Sequence, residues 1–156
     1  MKSAFATIKI PTVLEPNGLF RDDGKRPDGM TVTPFHKGKF LVWDVTCIDR
    51  LAPSYESTAK SEGPSVACLA EDRKERKYTR ICANSAQEFL PVAVETLGGL
   101  GPAFLDFVFK ASLFLPKDER PSFRCHLRQR LGVAVQVGNA ACIQAALQAD
   151  SAALDF

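Results

Sequence analysis

The chain has 156 residues, 46% of them apolar, and a formal net charge of +2. That is core material for one domain, which excludes a disordered chain, while the small charge neither requires nor excludes a nucleic-acid partner. The five cysteines form no CxxC pair and no apolar run approaches the ~18 residues of a membrane span, so reduced thiols in an intracellular protein with no membrane partner are expected.

Residues 1–14 alternate weakly and are broken by Pro11. They read as a short strand or an irregular arm, the truncated N-terminal end of a longer chain. Residues 15–18 have turn composition, and the polar stretch 21–29 carries turn chemistry at both ends. Two runs rich in Val, Thr, Phe and Trp follow at 30–35 and 40–47. They read as strands joined by a four-residue loop, His36-Lys37-Gly38-Lys39. The loop at 49–64 is rich in Ser, Pro and small residues, and its length marks it as mobile or functional.

Ser65 suits an N-cap, and 66 to about 83 reads as a helix. At 100° per residue, Ala70, Lys74, Lys77 and Ile81 share a narrow sector flanked by Val66, Ala67 and Tyr78. Glu71, Asp72, Glu75, Arg76 and Thr79 fall outside it. Two lysines thus run along the expected buried face, where they either snorkel at the core edge or point at a charged site. Residues 89–96 read as a buried strand, and 97–102 as a turn ending in Pro102, which fits a first helical position. Residues 103–115 are apolar nearly all round, which suggests a buried helix, and 116–121 form a charged loop. A long helix is expected from 122 to about 148, although 131–137 also alternates as a strand does. The sum is an α/β domain spanning 1–156, with a mixed sheet flanked by helices.

Asp44 is the anomaly. It interrupts Leu41-Val42-Trp43 and Val45, where a sheet core prefers apolar side chains. A carboxylate there is costly unless it meets a cation or strong donors. Asp28 precedes the neighbouring strand, and two acids converging at a hairpin suit a divalent cation. Register decides whether they converge. If Phe35 faces Phe40, Asp28 falls opposite Cys47, on the other face from Asp44. A one-residue shift or a bulge sets it opposite Thr46, on Asp44's face and about 6–7 Å away. Glu15 and Glu95 are secondary candidates for the site. His36 and His126 read as solvent-facing or structural. The Arg124, Arg128 and Arg130 cluster reads as a solvated helix face, with phosphate contact as the alternative. The Ser and Cys residues lack a paired base.

The order RPDG, LVWDVT, a helix with RKERKY, FLPVAVETLG and GNAA resembles the restriction-endonuclease-like, PD-(D/E)XK region at the C-terminal end of non-LTR retrotransposon polyproteins. The resemblance spans roughly 15–141. It implies a Mg²⁺-dependent (or Mn²⁺-dependent) DNA endonuclease, nuclear in a eukaryote, with Asp28 and Asp44 as metal ligands. Lys74 and Lys77, beside Tyr78, then match an EKxxKY-like helix motif to which the catalytic lysine has moved. Lys77 is the favoured one, because it precedes Tyr78. The chain departs from the pattern at Thr46, where the standard motif has lysine, and at Arg73, where glutamate is frequent. It has no reverse transcriptase motif and no zinc knuckle. The alternative reading is a catalytically decayed remnant that keeps the fold and at most binds nucleic acid.

Overall fold

The computed structural model describes residues 1–16, 26–55, 65–82 and 86–154. Helix α1 (Lys2–Thr7) leads into the short strand β1 (Thr12–Leu14). The helix stops where the Lys9 N–H donates to the Ala6 carbonyl and the Ile10 N–H to the Phe5 carbonyl, with Lys9 at φ 58°. That left-handed stop, usually made by glycine, turns Phe5, Ile8 and Ile10 into one core. Residues 1–14 therefore hold the expected strand. In place of an irregular arm they also hold a helix, whose single buried turn is too short for periodicity to reveal.

Strands β2 (Gly29–Thr31), β3 (Phe40–Ile48) and β4 (Gln87–Glu95) complete a four-stranded mixed sheet in the order β1-β2-β3-β4. The first three strands are antiparallel, and β4 runs parallel to β3. The β3–β4 connection contains helix α2 (Val66–Cys82), as a parallel pair requires. Pro91, opposite Asp44, is tolerated because β4 is an edge strand. Helices α3 (Pro102–Ser112) and α4 (Arg120–Leu154) follow. Residues 131–137 belong to α4, not to a strand. Among the described residues no helix is long and apolar enough to cross a membrane.

Period-two alternation sorts the side chains of β3 and β4 between two cores. Leu41, Trp43, Leu90 and Val92 pack with α1, with Phe104, Phe107, Val108 and Ala111 of α3, and with Leu127 of α4. Ile48 and Ala93 pack on the other face against Val66, Ala67 and Ala70 of α2. Helix α3 is not buried all round as its composition suggested: Phe109 lies half exposed on its outer side.

The hairpin differs from the expected one. His36 bridges Lys39 across a two-residue turn, with Lys37 at φ 47° and Gly38 at φ 74°, the geometry that matches strand twist. Further on, Gly29 pairs with Trp43 and Met30 with Val42. The pairing at the turn and the pairing in the ladder differ by three residues. The segment Val32, Thr33 and Pro34 absorbs them as an exposed bulge, with the Val32 N–H turned to the Pro11 carbonyl. Pro34 has no N–H to give a continuing ladder, so β2 covers 29–31 and not 30–35.

Candidate active site

The register differs from the expected one by three residues rather than one. The ladder stops at the Gly29–Trp43 pair, and Asp28 is the residue just before it, outside β2 and exposed. Strand β2 ends there while β3 continues. The Val45 N–H, which would meet the next residue of β2, donates instead to Asp28 Oδ2 at 2.6 Å. The Glu15 N–H, at the end of β1, donates to the Asp28 carbonyl at 3.1 Å. Glu15 thus holds the Asp28 backbone, while its own side chain is exposed.

Asp44 is 8% exposed and is met by the Lys74 ammonium, which forms a salt bridge and hydrogen bond with Oδ2. The Lys74 side chain keeps 29% of its exposure. The pair is thus partly buried between α2 and the sheet. Lys77 does not join it. It is exposed, with its ammonium 5.3 Å from the centroid of the Tyr78 ring. Tyr78 is buried and stacked on Phe89 at 4.3 Å, so its position is set by packing.

The buried face of α2 is rotated from the expected sector. It includes Tyr78 and Glu71 and leaves Lys77 at the edge. The side chains of Thr79 and Ile81, and residues 17–25, 56–64 and 83–85, lie outside the described residues. The Ser65 cap is present: the Cys68 N–H donates to Ser65 Oγ at 3.2 Å. Arg73 turns outward to the Tyr55 hydroxyl at 3.0 Å.

Two buried carboxylates lie beside this site without touching Lys74. Glu95, 1% exposed, accepts the Ala67 N–H at 3.1 Å and an Arg50 N–H at 3.3 Å. It meets no lysine there and instead caps the start of α2. Glu71, 3% exposed, accepts the N–H groups of Ala103 at 2.8 Å, Phe104 at 3.2 Å and Ala93 at 3.4 Å. Burial pushes its carboxyl pKa up, and Asp72 adds to the shift, against the pull of the three backbone donors. Helical periodicity placed Glu71 on the solvent side. The signal that could have found it is Gly101-Pro102: a helix start with no side-chain cap needs an acceptor from elsewhere. His36 lies 3.4 Å from Glu88, and His126 is exposed. Arg124 lies over Phe109, while Arg128 and Arg130 are exposed on α4.

Among the described residues no group of three or more His, Cys, Asp and Glu side chains is placed to hold a metal ion. The donors at hand are the two carboxylates. A hard cation that keeps most of its waters takes one or two carboxylates; of these two, Asp44 Oδ2 already meets the Lys74 ammonium and Asp28 Oδ2 the Val45 N–H. The chain is thus an α/β protein with a mixed four-stranded sheet and a carboxylate–ammonium pair at a sheet–helix junction. No family model, curated protein or solved structure matches it.

Proposed function

We propose that this protein is a Mg²⁺-dependent DNA endonuclease of the PD-(D/E)XK class, derived from a non-LTR retrotransposon and working on DNA inside the cell, in the nucleus of a eukaryote. The observation that carries the reading is Lys74 against Asp44: the ammonium comes from α2, where Thr46 leaves the strand without one. A Mg²⁺ or Mn²⁺ ion at Asp28 and Asp44 would supply Lewis-acid activation of water and neutralise charge on the phosphodiester. The chain's own residues then have separate tasks. Asp28 and Asp44 would hold the cation. Lys74 orients the attacking water or donates to an oxygen that gains charge. The Asp28–Val45 bond fixes the backbone next to Asp44, so the two carboxylates keep their relative orientation.

The test is nicking of supercoiled plasmid with Mg²⁺ or Mn²⁺, beside Asp44→Ala. Divalent-dependent nicking that is lost in the variant supports the enzyme. Retarded DNA mobility without nicking identifies a binding remnant, and the absence of both nicking and retardation overturns the nucleic-acid reading.

A further inference from the structure

We propose that Glu71 is the positioning residue that holds Lys74 against Asp44, by tying α2 to both β4 and α3. The inference rests on reading Asp44 and Lys74 as one site. Glu71 lies one helical turn before Lys74. Its carboxylate reaches out of α2 to the first turn of α3 and to Ala93 of β4. Ala93 pairs with Thr46, and Pro91, two residues earlier, pairs with Asp44. The links therefore form a closed loop: Lys74, α2, Glu71, β4, β3, Asp44, and back through the salt bridge.

Capping alone does not explain the residue. The N-cap of α3 is Gly101, at φ −67° and ψ 148°, a conformation that suits serine or aspartate. Either would cap the helix locally without burying a remote carboxylate. The sequence instead leaves that position bare, and a Cβ on Gly101 would stand 2.0 Å from Glu71 Oε1. The loop is shaped around the carboxylate of another helix.

Leverage gives the consequence. Glu95 fixes α2 at Ala67, and Lys74 lies seven residues further on, about 10.5 Å along the axis. For α2 pivoting at Ala67, a tilt of roughly 6° would move Lys74 by about 1 Å. A misplacement of that size costs an oriented catalytic group about a hundredfold.

The experiment separates position from stability. In Glu71→Ala combined with Gly101→Ser, the serine restores the α3 cap but not the tether. Plasmid nicking gives kcat and KM. Urea unfolding of Lys74→Met, Asp44→Asn and their combination gives the coupling between the two side chains, with and without Glu71. The expected result is recovered stability, kcat still about a hundredfold low, KM within about twofold, and coupling reduced to under about twofold in the unfolding equilibrium. Should serine not restore stability, Glu71→Gln takes its place and is read by the same coupling. Return of kcat along with stability, or coupling as strong as in the parent, overturns the proposal. If the parent does not nick DNA, the functional reading fails, and the coupling measurement alone decides the role of Glu71.

Discussion

Lys74 meets Asp44 across thirty residues of chain, from the middle of α2 onto the middle of β3. The pair answers the problem that Asp44 poses, because a carboxylate in an apolar strand needs a cation and α2 delivers one. Replacing either partner strands the other at the sheet–helix contact. Asp44→Asn and Lys74→Met are each expected to cost about 1–3 kcal/mol in urea unfolding. The double variant should cost less than the sum of the two. Full additivity would show that the contact contributes nothing in solution.

The two helix lysines should separate in catalysis. Lys74 contacts Asp44, whereas Lys77 is exposed beside the Tyr78 ring. Lys74→Ala should lower nicking at least about a hundredfold at unchanged DNA retention. Lys77→Ala should stay within about threefold of the parent. A reversed order would return the catalytic assignment to Lys77, the lysine that the helix motif favoured.

Register can be tested without activity. The Gly29–Trp43 pair, which follows Asp28 and precedes Asp44, leaves no room for a side chain: a Cβ on Gly29 would lie 2.2 Å from the Trp43 ring. Gly29→Ala should therefore destabilise by about 3 kcal/mol, the upper range for overpacking, and quench or shift the fluorescence of the single tryptophan. A variant as stable as the parent would mean that the two residues do not face each other.

Asp28 has two separable tasks. Its carboxylate accepts the Val45 N–H at 2.6 Å, and in the proposed reaction it also holds the cation. Asn keeps an acceptor oxygen but loses the charge. Asp28→Asn should thus fold as the parent does, while the Mg²⁺ needed for half-maximal nicking rises at least about tenfold. Asp28→Ala should lose the same Mg²⁺ response and about 1 kcal/mol of stability as well. Equal Mg²⁺ dependence in all three proteins would remove Asp28 from the metal site.

Local chemistry made part of this legible from sequence. Ser65 announces α2, Pro102 opens α3, and the polar interruption at Asp44 marks the site. What stayed hidden depends on contacts far apart in the chain. The three-residue offset arises where Val32 turns to Pro11, a partner outside the hairpin. The burial of Glu71 is fixed by backbone donors of β4 and α3, more than twenty residues away, and helical periodicity carries no record of them. The same rotation of α2 explains why Lys74 reaches Asp44 and Lys77 does not.

Glu71 should also leave a mark on stability against pH. Its folded pKa is raised above the ordinary 4.5, chiefly by burial. The folded chain therefore binds this proton more tightly than the unfolded chain does. The stability it contributes is fully present below pH 4.5 and is lost as the pH rises through the folded value. Other carboxylates titrate nearby, so the measurement is a difference. Unfolding free energies of the parent and of Glu71→Gln are followed from pH 4 upward, and the parent should lose stability relative to the variant over that window. Above it the two curves should run parallel. A parent that gains on the variant as the pH rises would mean that the three backbone donors outweigh burial and hold the folded pKa below the ordinary value, with Glu71 acting as a fully ionised cap.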